Sequence, residues 1–324
     1  MKKAIWFSWE NHRRNREVSK ALGVTLYEFP EIDGINNPFK KYILGLFKTI
    51  RILLKIRPKL IFAQNPSLIL SLFVVTLRKI FNYRVIIDAH NVGLFPKEGK
   101  CGLLNRLSRF VQRHADLVIV SNPGLQPVVK SNGGKSFVLP DKIPDIQPNS
   151  KLPLDGSFKI LFICSFAEDE PYLEVIEAAR LVGKDVRIYV SGNYRKAVLI
   201  PSELPENITL TGYLSEENYI HFLNSVDATI DLTTRENCLV CGAYESVAAG
   251  KPVILSDTSA LKNYFNQGAI FSENTGPALA RAIVQLISQH QKLYESISSL
   301  KSIRLAEWNN IKEELIVIQN QMMK

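Results

Sequence analysis

The stretch "DLTTRENCLVCGAYESVAAGKPVILSD", residues 231–257, sets the reading of the whole chain. A strand end leads into a polar loop, a glycine at Gly242, an apolar helical run, the breaker Gly250-Lys251-Pro252 and the strand-like Val253–Leu255. Strand, loop, helix and strand in that order form a unit whose strands lie parallel beneath a covering helix. A helix opening near Gly242 leaves its first N–H groups without intrahelical partners, which suits a diphosphate. Glu245, one turn on, is placed to accept hydroxyl hydrogen bonds from a ribose, each bond to a charged acceptor contributing about 1.5–3 kcal/mol. Cys238 and Cys241 have a spacing that zinc also uses. A structural zinc site needs four ligands, however, and no second Cys-x-x-Cys or His-x-x-x-His completes one. The pair reads as packing, and no metal site is expected.

The same alternation extends outward in both directions. Strand-like runs "KAIWF", "VTLYEF", "LIFAQ", "RVIID", "DLVIV" and "SFVLP" punctuate the first half, and "KILFIC", "VRIYVSG", "ITLTG", "DATIDL", "PVILSD" and "GAIFS" the second. Helix-like runs separate them, so the fold class is α/β, with two Rossmann-like doubly wound parallel-sheet domains facing a cleft. The stretch "PDKIPDIQPNSKLPLDG", residues 140–156, carries four prolines and no periodicity. We place domain 1 at residues 1–145, a linker at 146–156 and domain 2 at 157–290. A terminal helix over 291–324 is expected to pack back on the first domain. Neither G-x-G-x-x-G nor G-x-x-x-x-G-K-[ST] occurs, so a dinucleotide fingerprint and a nucleoside-triphosphate loop both lack support.

The chain of 324 residues has a net charge of +9 that is unevenly shared. Residues 1–150 hold 24 Lys and Arg against 10 Asp and Glu, a balance of +14, and the remainder holds 16 against 21, a balance of −5. Four scattered cysteines make no disulfide framework and favour a reducing compartment. The opening "MKKAIWFSWENHRR" is too short in apolar residues for a signal-peptide core. The run "LILSLFVVTL", Leu68–Leu77, is about half of the roughly 20 residues a spanning helix needs. The expectation is a cytoplasmic protein, peripheral on the inner face of a membrane. Residues 39–56, "FKKYILGLFKTIRILLKI", supply the reason. Phe39, Tyr42, Ile43, Leu46, Phe47, Ile50, Leu53 and Leu54 share one helical face, and Lys40, Lys41, Lys48, Arg51 and Lys55 another. This is either a helix packed on the sheet with a solvated basic face, or an anionic membrane surface contact. Its cations alternate with aliphatic residues and accompany no binding motif, so nucleic acid is not expected as a partner.

The opening stretch resembles the donor-binding signature of glycosyltransferase family 4, group 1 enzymes of the two-domain GT-B fold. The family pattern is Ser-x-x-Glu-Gly-Phe-Gly-x-x-x-x-Glu-Ala followed by Gly-x-Pro-Val-Ile-x-x-Asp. Glu245 falls on its second glutamate, and Gly250, Pro252, Val253, Ile254 and Asp257 fall on its tail. "ITLTGYLSEENYIHFLNSVDATIDL" extends the similarity over most of residues 158–290. The resemblance implies a nucleotide-sugar donor, ribose held by Glu245, and donor contacts from Gly242, Asn237, Arg235, Thr234 and Tyr244. Two departures stand out. The family's sugar-contacting first glutamate is replaced by Asn237, with Glu236 one place early. The Arg and Lys that neutralise the donor phosphates in retaining members are replaced by "CSFAEDEPYLEVIEAA", with Ser165 and Asp169 or Glu170 in their place. "SFAEDEP", together with "QNP" at Gln64–Pro66 and "DAHN" at Asp88–Asn91, is similar to the β-mannosyltransferases that extend dolichol-linked chitobiose, which invert configuration.

An inverting transfer needs a base for the acceptor hydroxyl. His90 and Asp88, at a strand's carboxyl end, are the catalytic candidates, with Glu10 and His12 as alternatives. Asp88 capping a loop beside a satisfied histidine is the competing structural account. Arg13, Arg14 and Ser165 are candidate phosphate or acceptor contacts. The sequence thus reads as a glycosyltransferase acting from a nucleotide sugar onto a saccharide or lipid-linked saccharide acceptor in surface glycan synthesis. No cofactor or metal is expected. The alternatives are a nucleotide-sugar epimerase of the same fold and a degenerate, non-catalytic nucleotide-binding protein.

Overall fold

The computed structural model describes residues 3–29, 32, 35, 37–65, 67–147, 150–197 and 203–324. The chain divides into unit 1, Met1–Lys142 with Glu307–Lys324, and unit 2, Ile143–Ala306.

Unit 1 contains β1 (Ala4–Ser8), β2 (Thr25–Glu28), β3 (Leu60–Asn65), β4 (Arg84–Ala89), β5 (Leu117–Val120) and β6 (Ser136–Val138), in the order β2-β1-β3-β4-β5-β6. Every pairing is parallel. Side chains alternate across the sheet. Ile5 and Phe7 enter one core while Trp6, stacked on Phe62 at 5.0 Å, enters the other. Trp308 and Leu315 from the terminal helix His290–Met322 cover that second face. Trp308 Nε1 donates to the Pro140 carbonyl at 3.2 Å. Burying each of these side chains stabilises the unit by roughly 1.5–3 kcal/mol.

Unit 2 contains β7 (Phe158–Phe162), β8 (Val186–Ser191), β9 (Ile208–Gly212), β10 (Ala228–Asp231), β11 (Val253–Ser256) and β12 (Ala269–Ser272), ordered β12-β11-β10-β7-β8-β9 and again all parallel. All twelve strands fall on the twelve strand-like runs. The strand order reverses between β7 and β10, and an open parallel sheet takes ligands at the carboxyl ends beside such a point.

Two expectations change. The stretch read as a linker is not a spacer, because Ile143 and Ile146 are buried in the unit 2 core and Leu154 packs against it; positions 148 and 149 lie outside the described residues. Proline spacing hid three apolar anchors. The helix Pro38–Ile56 also docks on a different face from the one its apolar pattern suggests. Gly45, Thr49 and Leu53 point inward. A Cβ at Gly45 would lie 2.8 Å from the Trp9 indole, and Trp9 Nε1 donates to Thr49 Oγ1 at 3.1 Å. The ring takes the glycine's empty space and turns the stripe Phe39, Ile43, Phe47, Ile50 and Leu54 outward, at 74, 51, 63, 37 and 57 % exposure.

Candidate functional site

In unit 2 the loops after β7 and β10 are tied together beside the reversal point. Glu170 organises the first: its carboxylate accepts the N–H groups of Ser165 and Ala167 at 2.7 and 3.1 Å and the Ser165 hydroxyl at 2.8 Å. Between them Phe166 holds a left-handed φ of 60°, a backbone state that a non-glycine residue adopts only when its surroundings compel it. Asp169 joins the loops. It accepts the Thr233 hydroxyl at 2.8 Å, pairs with Arg235 at 3.2 Å, and its carbonyl receives the Thr234 N–H at 2.8 Å.

A cavity of about 390 Å³ opens here, lined by Ser165, Gly192, Asn193, Tyr213, Tyr219 and Glu245 among others. Glu245 reaches it from the helix Cys241–Ala249. Tyr219, on the helix Glu216–Ser225, donates to Glu245 Oε2 at 2.5 Å and fixes that carboxylate at the cavity wall. Asp231, buried at the end of β10, accepts the Ala243 N–H at 3.0 Å. A Cβ at Gly242 would lie 2.6 Å from Asp231 Oδ2, so only glycine lets the helix start this close. Burial, followed by the neighbouring Glu170 and Glu245 carboxylates, pushes Asp231 well above the usual carboxylate range.

Unit 1 holds a second cluster at the carboxyl ends of β1 and β4. Arg14 grips Asp88 through Nε–Oδ2 and Nη2–Oδ1, both 2.9 Å, and also donates to Asp141 Oδ1 at 2.5 Å and the Leu139 carbonyl at 2.9 Å. Burial works to raise the Asp88 pKa, but the guanidinium overcomes it and holds the carboxyl below its ordinary value. His90 Nε2 lies 3.8 Å from Asp88 Oδ2, inaccessible and without a hydrogen-bond acceptor or donor among the described residues. Burial, aided by Arg14 and only partly opposed by Asp88, lowers the His90 pKa, so the imidazole is neutral at pH 7. The His12 ring sits 5.2 Å from that of His90.

Residues 157–289 match the family described as "Glycosyl transferases group 1". These residues are a group 1 glycosyltransferase domain. No curated protein matches the chain by sequence. Among solved structures, sucrose-phosphate synthase from Thermosynechococcus elongatus is 14 % identical over 99 % of both chains, with a TM-score of 0.78. HepE from Anabaena, in complex with UDP and glucose, is 13 % identical over 99 % of this chain and 100 % of that one, with a TM-score of 0.77. The lipopolysaccharide outer core galactosyltransferase WaaB, in its apo form, is 12 % identical with a TM-score of 0.64, covering 99 % of this chain and all of that one. At these identities the likeness speaks for the fold, which is that of the GT-B glycosyltransferases.

Within the glycosyltransferase domain the predicted residues separate. Glu245 and Ser165 share the cavity just described. Thr234 and Glu236 line a different recess of about 500 Å³ with Asp257 and Lys262. Arg235, expected as a donor contact, is paired with Asp169. Asn237 lies in the turn after β10. Tyr244 is buried against Tyr264 and Phe265, at ring distances of 5.3 and 5.1 Å, because neighbouring helical residues point about 100° apart and Glu245 takes the cavity side. The Gly242 and Ala243 N–H groups, expected free for a diphosphate, face Asp231 instead. Cys238 leans on the core and Cys241 is exposed; among the described residues no three His, Cys, Asp or Glu side chains converge as metal ligands.

In unit 1, Asp88, His90 and His12 come together, Arg13 pairs outward with Glu17 at 2.9 Å, and Arg14 is a buried ion-pair partner rather than a phosphate contact. Tyr219, Asp231 and Asp141 are the residues the sequence reading missed. The "NY" of "LSEENYIHF" was inside the matched region, and one helical turn of geometry would have been needed to aim Tyr219 at Glu245.

Proposed function

We propose that this chain moves a sugar from a nucleotide-diphosphate sugar to the hydroxyl of a saccharide or lipid-linked saccharide, in surface glycan synthesis, with inversion at the anomeric carbon. The observation that carries the reading is the Tyr219-braced Glu245 carboxylate at the cavity of a group 1 glycosyltransferase domain. An ionised carboxylate held in one orientation accepts two ribose hydroxyls, and Ser165 and Tyr213 border the same space. HepE, of the same fold, is recorded with UDP and with UDP-glucose, which supports a nucleotide-sugar donor here.

His90 is the base in this reading. Its neutral imidazole takes the proton of the acceptor hydroxyl at Nδ1, the ring nitrogen that does not face Asp88, as that oxygen bonds to the anomeric carbon, while the bond to the leaving nucleotide diphosphate breaks. Asp88 stays ionised because Arg14 holds it, and it stabilises the imidazolium that forms. The chemistry so assigned needs no metal, and chelation is expected to leave turnover unchanged.

The outward stripe on the helix Pro38–Ile56 supports a lipid-linked acceptor. Exposed Lys40, Arg51 and Lys55 accompany it, the combination an anionic membrane surface attracts. Among the described residues no helix is long and apolar enough to cross a membrane.

Thermal unfolding with a panel of nucleotides and nucleotide sugars tests the donor. A selective ligand at about 100 times its dissociation constant stabilises by about 2.7 kcal/mol. A flat panel would sink the reading. Conversion of the donor to its epimer without a saccharide acceptor and without net nucleotide release would favour an epimerase.

A further inference from the structure

Unit 1 has a recess at the opposite end of its sheet from His90. Its volume is about 640 Å³, and its wall gathers Lys59, Arg78, Lys79, Arg84, Lys135 and Lys324 around one acidic side chain, Asp116. Lys59 precedes β3, Arg84 opens β4 and Lys135 precedes β6. The four residues from Arg84 to Asp88 put roughly 13 Å of strand between this recess and the ion-paired cluster.

Six cationic side chains and one acidic one leave five positive side-chain charges in one concavity. Asp116 cannot neutralise them, because its carboxylate is already divided: Oδ2 accepts the Val85 N–H at 2.8 Å, and Oδ1 holds Arg84 at 2.9 Å and Arg78 at 3.1 Å. Asp116 therefore orients two guanidiniums more than it discharges them. Each guanidinium has five donors in a planar fork, and those not used on Asp116 or, for Arg78, on the His114 carbonyl remain for an incoming acceptor. The Lys59, Lys79 and Lys135 ammonium groups have no acceptor among the described residues. Like charges collected around a concave surface repel one another and concentrate counter-anions there. A single carboxylate ligand would leave most of that charge standing. Groups with several closely spaced negative oxygens match both the charge and the forked donors.

We infer that this recess binds a ligand carrying two or more phosphate groups, distinct from the nucleotide-sugar site of unit 2. The shared chemistry is an oligophosphate, and it has two sources, a free oligophosphate or the headgroup of a phosphorylated lipid.

The test uses the full chain and inorganic tripolyphosphate as probe, with binding followed by calorimetry and with UDP as the control ligand. The triple variant Lys59→Gln, Lys79→Gln, Lys135→Gln alters only exposed side chains, and its unliganded thermal transition checks that it folds. Tripolyphosphate affinity should fall about tenfold or more while the UDP response stays as in the parent. Equal tripolyphosphate affinity in parent and variant overturns the site. A parallel loss of both ligands overturns it too, since the probe would then be reading the nucleotide site. Vesicles of phosphatidylcholine, with and without phosphatidylinositol bisphosphate, separate the sources: binding to the phosphorylated vesicles that the variant loses assigns the lipid, and tripolyphosphate binding without vesicle binding assigns the free anion. Should the triple substitution abolish binding of a short duplex DNA and leave tripolyphosphate untouched, the recess would be a nucleic-acid surface and the inference would fall.

Discussion

Tyr219 donates a 2.5 Å hydrogen bond to Glu245 Oε2 from a neighbouring helix, so the carboxylate that faces the unit 2 cavity is held by a residue that lies outside the sequence signature. Tyr219→Phe removes that bond and keeps the ring. The carboxylate then samples several rotamers, and ordering it falls to the ligand. The donor KM is expected to rise about 5- to 10-fold with kcat nearly unchanged, equivalent to about 1–1.4 kcal/mol of lost ground-state binding. Equal loss in kcat would place Tyr219 in the transition state instead.

Asp231 stands where the helix N-terminus would meet a diphosphate, and its pKa is raised by burial and by Glu170 and Glu245. A raised carboxyl pKa means the folded state binds the proton more tightly. The stability it contributes is present below about pH 3.8 and is lost as pH rises through the folded value. Asp231→Asn keeps an oxygen for the Ala243 N–H and removes the charge. At pH 7.5 the variant should be more stable by about 1–3 kcal/mol, with the gain vanishing near pH 4, as followed by urea unfolding.

The strands were legible because their code is local: short β-branched and aromatic runs between breakers. Glu245 was legible for the same reason, as a fixed offset within one helix. What the sequence concealed depended on partners far along the chain. Arg14 reads as a free cation in "ENHRRNRE" until the fold brings it Asp88 on β4 and Asp141 in the stretch after β6, 74 and 127 residues away. The Pro38–Ile56 helix reads as if its most apolar face packs inward, yet the Trp9 indole selects the narrow Gly45–Thr49–Leu53 side. Hydrophobic periodicity finds a stripe, and it cannot say whether protein or another apolar phase covers it.

The Arg14–Asp88 pair is fully buried, so removing one member strands the other charge. Arg14→Met should cost about 3–5 kcal/mol at pH 7. Asp88 has a depressed pKa, so the stability it contributes is present above about pH 3.8 and is lost as pH falls through the folded value. Protonation also relieves the stranded carboxylate in the variant. The difference in Tm between parent and variant is therefore expected to narrow below about pH 4. A gap independent of pH would show that Arg14 acts by packing alone.

If His90 is the base, its protonated form is inactive. Its pKa lies below 6.5, so kcat/KM should be level from about pH 7 upward and fall on the acid side only below about pH 6.5. His90→Asn should reduce kcat/KM by about 10²- to 10⁴-fold and leave nucleotide binding by thermal shift unchanged. Loss of the acid limb in the variant, with a residual pH-independent rate, completes the signature. An acid limb that persists unaltered would transfer the role to another group, of which His12 is the nearest histidine.

Phe39, Ile43, Phe47, Ile50 and Leu54 recur at intervals of four, four, three and four residues, which keeps all five on one line of the helix. Soluble proteins rarely leave so continuous an apolar line facing water, and interfacial helices carry one beside basic residues. Substituting Phe39→Glu and Phe47→Glu reverses both terms at once: it removes two aromatic contacts with the acyl boundary and sets two anions against an anionic leaflet. Because both side chains already face outward, the stability of the isolated protein should change by no more than about 0.5 kcal/mol per site. Partition onto vesicles containing phosphatidylglycerol should fall by more than about tenfold, with turnover on a short water-soluble acceptor retained. A large loss of folding stability would mean that the stripe is protein core. Undiminished vesicle binding would move the membrane contact elsewhere on the chain.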